Sequence, residues 1–172
     1  MMFTIEEFKE SDQSNTKAFV LSIQNEEFGL GFSDNEQPDL LNIGKFYRNG
    51  KFWLAKYDDE IVGTIGLQIL DSTNAVLRKM FVKQNYRGKQ KGIAHSLFDT
   101  LKTFAMSKDI NLIWLDTPGC AKASHRFYEK IGFIKTERMY LPKSYTFPDR
   151  ESLIYRLLID YEFKKDITNE KV

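Results

Sequence analysis

A single cysteine, Cys120, in 172 residues excludes any disulfide within the chain and suits a reducing compartment. Only two histidines are present, His95 and His125, and no Cys, Asp or Glu cluster stands near either at ligand spacing. A zinc site is therefore not expected, and neither is any other metal. No apolar run approaches the ~20 residues that span a bilayer. The opening MMFTIEEFKE is too acidic and too broken for a signal peptide. Charge of one sign is lacking as well: 25 Lys and Arg against 24 Asp and Glu leave a net charge of +1. Nothing drives the whole molecule toward nucleic acid or a membrane surface. Repeats and low-complexity segments are absent. A cytoplasmic protein is expected.

What is present fits one domain with a real core, residues 1–163, followed by a polar tail over 164–172 that should fray. Apolar residues make up 42% and charged residues 28%, as in soluble globular proteins. Alternation at Phe3 and Ile5 predicts a first strand over 3–8. A helix should follow the polar 11–15 and run to about Asn25, with Phe19, Val20 and Ile23 on one face. Residues 26–39 read as a loop with two Gly, one Pro and five acids. Pro38 should start a short helix through Tyr47, before the Asn49-Gly50 turn. Lys51–Tyr57 and 61–70 read as a hairpin around Asp58-Asp59-Glu60, and a third strand is expected over 75–82. A 3.6-residue period through Ile93, Leu97, Leu101, Phe104 and Ala105 predicts a helix over 92–107. The run LIWLD, 112–116, reads as a strand covered on both faces. Residues 122–131 read as a helix capped by Gly132, and the last two strands should occupy 133–140 and 153–159.

The stretch from Leu77 to Phe98 has the strongest chemistry. It reads as a buried strand, a basic loop and a helix N-terminus. Such a terminus offers unpaired N–H groups and partial positive charge to an anion. Between Arg78 and Lys91 lie Arg78, Lys79, Lys83, Arg87, Lys89 and Lys91, with no acid among them. Gly88 and Gly92 leave room for phosphates to approach the backbone. A solvated connection would have the same composition, so the pattern alone leaves both readings open. Gly92 is followed by Ile-Ala rather than Lys-Ser/Thr, which excludes a nucleotide P-loop. The absence of GxGxxG excludes a dinucleotide fingerprint.

Two motifs carry a resemblance. Lys89-Gln90-Lys91-Gly92-Ile93-Ala94, after a strand ending Met80-Phe81-Val82, resembles the Q/R-x-x-G-x-G/A cofactor segment of the GCN5-related N-acetyltransferases. Tyr86-Arg87-Gly88-Lys89 resembles that family's YRGK run. Ser124 to Phe133, SHRFYEKIGF, resembles its A-x-x-F-Y-x-K-x-G-F ending, with Ala121 and Ser124 replacing the usual Asn and Ala. Val82 to Gly92 is about two residues longer than the family's commonest spacing. The sequence therefore leaves open whether Arg87 or Lys89 takes the family's Arg position.

The resemblance implies a mixed α/β fold: a largely antiparallel central sheet flanked by helices, splayed to admit coenzyme A. It implies acetyl transfer from acetyl-coenzyme A to a primary amine of a small molecule or peptide. Backbone from Met80 through Val82 would meet the pantetheine arm. The loop Arg87, Gly88, Lys89, Gln90, Lys91, Gly92, Ile93 and Ala94 would hold the pyrophosphate. Tyr128 matches the family's general-acid tyrosine; a tyrosine merely packed beside Phe127 is the alternative for that residue. No base is assigned: Asp116, at the end of its strand, either faces the cleft or, as strand-end acids more often do, caps a turn. His95 and His125 read as surface or packing residues and Cys120 as structural. The acids of 26–39 either line the acceptor side and favour a cationic amine or belong to a solvated loop, and the sequence leaves both readings open. A non-catalytic acyl-coenzyme A-binding regulatory module on the same fold is the second reading, and a homodimer is compatible with either.

Overall fold

Alternation in KFWLAKY places Phe52 and Leu54 on one side of a strand and Trp53 and Ala55 on the other, and all four are buried. This strand, β2 (Lys51–Tyr57), turns through Asp58 and Asp59 into β3 (Glu60–Ile69). Both turn residues take positive φ, 47° and 62°, the geometry whose twist matches paired strands. The structure is a computed structural model that describes residues 2–159. The expected polar tail lies outside the described residues. Five further strands are β1 (Thr4–Glu7), β4 (Asn74–Val82), β5 (Leu112–Thr117), β6 (Ile134–Thr136) and β7 (Leu153–Leu158). They complete a seven-stranded sheet of order β1-β2-β3-β4-β5-β7-β6. Every pairing is antiparallel except β4 with β5.

Helices cover both faces. On one side α4 (Ile93–Ser107) and α5 (Lys122–Lys130) pack on the main core. There Ile93, Leu97 and Leu101 are almost wholly buried, each worth about 1.5–3 kcal/mol relative to exposure. On the other side α1 (Gln13–Leu21), α2 (Pro38–Leu41) and α3 (Ile43–Phe46) enclose Val20, Leu40, Ile43, Tyr47, Phe52 and Leu54. A third cluster, Val76, Trp114, Tyr145 and Ile154, closes the same face further along. With Leu115 in the main core and Trp114 in this cluster, β5 is covered on both faces as its apolar run implied.

Three elements differ from expectation. The first helix stops being α-helical at Leu21 and continues as a π-helical turn, Ser22–Glu27. The expected helix from Pro38 breaks at Asn42, whose side chain accepts a hydrogen bond from the Lys45 amide at 2.9 Å and so starts α3 afresh. The strand expected over 133–140 keeps three residues, and a 3₁₀ turn follows at Arg138–Tyr140.

The feature that makes a site is a divergence. β4 and β5 pair only through Asn74↔Leu112, Ala75↔Ile113 and Val76↔Trp114. Beyond Val76 the two strands separate, and the β5-facing edge of β4 from Leu77 to Val82 is left unpaired by β5. β4 also bulges there: Gly66 faces Arg78 and Thr64 faces Phe81, so Lys79 and Met80 oppose the single residue Ile65. Lys79 takes φ 52°, which a side chain adopts only when its surroundings impose it. The Thr64 hydroxyl donates to the Lys79 carbonyl at 2.7 Å and pins the bulge.

Candidate active site

The divergence opens two cavities that meet. One, of about 310 Å³, lies toward α4 and α5 and is lined by Met80, Phe81, Val82, Tyr86, Arg87, Gly88, Lys89, Ala94 and residues of α5. The other, of about 90 Å³, opens between Leu77–Phe81, Asp116–Pro118 and the segment carrying Gln24, Phe28, Leu30 and Phe32. Phe28, Met80, Phe81, Ser124 and Tyr128 line both, so Tyr128 stands at the junction.

Tyr128 is 6% exposed and packs against Phe127, Phe133 and Tyr155, with ring centroids 5.8 to 6.3 Å away. Both readings of this residue thus meet in one side chain: its ring is packed and it still lines the cleft. No hydrogen bond ties its hydroxyl to the protein among the described residues. Burial, then the nearby Asp116 carboxylate, push that hydroxyl above the ordinary tyrosine value. It stays protonated at neutral pH and is able to give a proton to an anion that forms beside it.

The larger cavity ends at the basic loop. Gly88 (φ 116°) and Gly92 (φ 70°) hold conformations that disfavour side chains, and a Cβ at either would meet nothing within 4 Å. The first bond of α4 runs from the Ser96 amide to the Gly92 carbonyl at 3.0 Å, leaving the amides of Ile93, Ala94 and His95 ahead of it. The cations are less available than the sequence implied. Arg87 donates from Nε to the Val82 carbonyl at 2.7 Å and grips the Glu27 carboxylate with both terminal nitrogens. Lys83 pairs with Glu60, and Lys91 donates to the Asn85 carbonyl. Lys89 is exposed and makes no hydrogen bond or ion pair among the described residues. Gln90, Lys91, Gly92 and Ile93 lie outside the cavity lining. The Ile93 side chain is in the core, so only its backbone faces the loop.

The smaller cavity holds Asp116, which the sequence raised as a cleft residue without a role, and Arg78 and Lys79, which it read only as part of the basic stretch. Arg78 and Asp116 each stand two positions past the last β4–β5 pair, so both face the side occupied by Tyr145. The Tyr145 hydroxyl donates to Asp116, and its ring lies 5.3 Å below the Arg78 guanidinium. Burial raises Asp116 above the usual carboxylate range, although Tyr145, Arg78 and Lys79 pull the other way. Lys79 donates to Gln37 at 2.6 Å and lies 3.4 Å from Asp39, which also accepts from Tyr47 at 2.8 Å. Burial holds Lys79 below the ordinary lysine value.

The acids of 26–39 do not face this cavity. Glu27 is taken by Arg87, Asp34 by Lys17, Glu36 by Arg150 and Asp39 by Lys79. The residues that this segment does present are apolar: Phe28, Leu30 and Phe32. Arg150 holds the segment in place from 120 residues away through the Leu30 carbonyl at 3.0 Å, with its guanidinium 4.3 Å over Phe32. His125 is a packing residue, as read from the sequence, its Nε2 donating to the Pro118 carbonyl at 2.9 Å. His95 instead lines the larger cavity, edge-on to Phe127. Cys120, read as structural, is exposed. Among the described residues no cluster of His, Cys, Asp and Glu is placed to hold a metal ion.

Residues 17–133 match the family model described as "Acetyltransferase (GNAT) family". Among curated proteins, the chain is 35% identical over 113 residues to "Probable N-acetyltransferase camello" of Xenopus tropicalis, covering 62% of this chain and 50% of that protein. It is 32% identical over 114 residues to the N-acetylaspartate synthetase of Danio rerio, covering 64% of this chain and 39% of that protein. The match therefore spans half or less of these relatives' lengths. Among solved structures, a GNAT-family acetyltransferase of Staphylococcus aureus Mu50 superposes with a TM-score of 0.88 at 34% identity, covering 92% of this chain and 100% of that one. More distant chains of the same fold have been solved with coenzyme A or acetyl-coenzyme A bound.

Proposed function

Because the chain belongs to the GNAT acetyltransferase family, we propose that it transfers the acetyl group of acetyl-coenzyme A to a primary amine of a small molecule or peptide. The observation that carries this reading is the pair of joined cavities between β4 and β5 with Tyr128 at their junction. The larger cavity has the open strand edge and the basic loop that the cofactor needs. The smaller takes the acceptor. The relative named N-acetylaspartate synthetase supports the small-molecule arm.

The pyrophosphate rests on the turn from Arg87 to Ala94, against the first amides of α4 and the Lys89 ammonium. Met80, Phe81 and Val82 run along the pantetheine arm. An alkylammonium has a pKa near 10.4 and must lose a proton before it attacks the thioester. Bond formation from nitrogen to carbonyl carbon gives a tetrahedral oxyanion, which a backbone N–H at the end of the β4 bulge stabilises. Collapse breaks the carbon–sulfur bond, and Tyr128 protonates the departing thiolate. The acceptor nitrogen loses two protons in all. One ends on the thiol, through Tyr128, and the other goes to solvent.

Tyr128→Phe tests the reading. Thiol release in the presence of acceptor should fall by about 10²-fold or more, the usual contribution of a general acid, while the Kd for coenzyme A changes less than twofold. A variant that turns over normally would remove Tyr128 from the mechanism. A wild-type protein that binds coenzyme A and acetylates no amine would favour the regulatory-module reading.

A further inference from the structure

The smaller cavity is bipolar, and its chemistry selects among amines. It is small, about 90 Å³, which suits a compact acceptor over a long chain. Its walls are apolar at Phe28, Leu30, Phe32, Leu77 and Pro148. Its charged lining is Arg78 and Lys79 from β4 and Asp116 from β5. Lys79 is already engaged, donating to Gln37 at 2.6 Å and lying 3.4 Å from Asp39, whereas Arg78 and Asp116 keep unused hydrogen-bonding capacity among the described residues. Arg78 donates from Nε to Gln68 at 2.8 Å and from one terminal nitrogen to the Thr146 carbonyl at 2.7 Å, two of the five N–H groups of a guanidinium. Asp116 accepts from the Tyr145 hydroxyl through one oxygen. Tyr145 touches both charges, so the pair is held by a shared partner rather than left to rotate.

A partly buried charge in an apolar pocket is costly until something pairs with it. A simple alkylamine would satisfy Asp116 and leave the remaining N–H groups of Arg78 without an anionic partner. A polyamine would bring further positive charge against Arg78, with Lys79 next to it already paired with Asp39. A molecule with an ammonium and a carboxylate a few bonds apart satisfies both ends at once. We propose that the acceptor is a small free amino acid, its amino group drawn to Asp116 and its carboxylate held by Arg78 with Lys79 behind it. This rests on the acetyltransferase reading and narrows it: Arg78 selects the substrate and takes no part in the proton transfers.

The test is a matched acceptor panel at saturating acetyl-coenzyme A, read by thiol release. It would include the free L-amino acids, the carboxamide of each, the corresponding decarboxylated amines, spermidine, and a lysine-containing peptide. At least one free amino acid should exceed its own carboxamide about tenfold or more in kcat/KM, the usual worth of a hydrogen bond to a charged group. Arg78→Gln should raise KM for that amino acid by a similar factor and lower kcat/KM for the carboxamide several-fold less. Arg78→Lys should recover part of the loss. The carboxamide measured on the same variant controls for a disturbed fold, since misfolding would lower both substrates together. Equal use of amino acids and carboxamides, or a preference for spermidine or the peptide, overturns the proposal. So does an Arg78→Gln defect of the same size on both substrates. Calorimetric titration with coenzyme A separates the levels. Binding with a preference for uncharged or polycationic amines sinks the amino-acid assignment alone, and no binding sinks both readings.

Discussion

Asp116 shows what a functional cleft costs at the residue scale. Its carboxylate lies in a region dry enough to raise its pKa despite a donated hydrogen bond and two nearby cations. An acid whose folded pKa lies above its unfolded value, here near 3.8, holds more protons in the folded state. Stability therefore falls as pH rises from the unfolded value through the folded one, and the penalty is constant above that window. Asparagine keeps the oxygen that accepts from Tyr145 and never ionises. Asp116→Asn should match the wild type in Tm near pH 3.5 and exceed it by a margin that grows as pH rises through that window and then stays constant to pH 8, in paired melts across that range. Taking the difference cancels the titration of groups far from this site. A margin that is flat with pH, or a loss at pH 8, would mean that Arg78 and Lys79 compensate the carboxylate fully.

At the scale of elements, the loop before α4 divides its cations into braces and a free charge. Arg87 ties the loop to the end of β4 and to the π-helical turn through Glu27. Among the described residues Lys89 has no such duty. Lys89→Ala should leave the Tm of the ligand-free protein within about 1–2 °C, as for an ordinary surface change. It should also weaken coenzyme A binding about threefold to tenfold at low salt and flatten the salt dependence. Arg87→Ala should lower the ligand-free Tm as well. The opposite assignment, with Arg87 silent in stability and Lys89 silent in binding, would exclude this division. The loop shows where sequence reasoning reaches its limit. Local patterns reported the β2–β3 hairpin, α4 and α5 within a residue or two, because periodicity and turn chemistry are short-range. The glycine loop was read from its short-range composition, whereas the Phe127-Tyr128 pair came from the family resemblance. Residues fixed by distant partners were not legible. The Arg87–Glu27 pair spans 60 positions and the Arg150 clamp 120. The positive φ of Lys79 follows from its register against β3. Asp116 becomes a cleft residue only because β4 leaves β5 after Val76 and Tyr145 folds back across the gap.

For the whole molecule, the divergence is a wedge cut into an otherwise continuous sheet. β4 and β5 belong to one sheet and share a core with α4 and α5, yet their pairing stops after three residue pairs. A ligand in the gap would bridge the two halves and replace strand contacts that the sheet forgoes. Acetyl-coenzyme A should therefore stabilise the folded state as a unit, with a single unfolding transition that moves upward. At about 100 times its Kd a ligand that binds only the folded state adds about 2.7 kcal/mol. For a domain of this size that is a rise in Tm of roughly 5–11 °C. Phosphates seated on α4 amides and on Lys89, as proposed, would make part of this binding electrostatic, so at fixed ligand concentration the rise should shrink between 50 and 500 mM salt. Thermal melts with acetyl-coenzyme A, coenzyme A and dephospho-coenzyme A at both salt levels make the measurement. Equal rises at both salt levels would move the anion-binding role away from the loop. No rise with millimolar acetyl-coenzyme A would mean that the gap between β4 and β5 does not receive the cofactor.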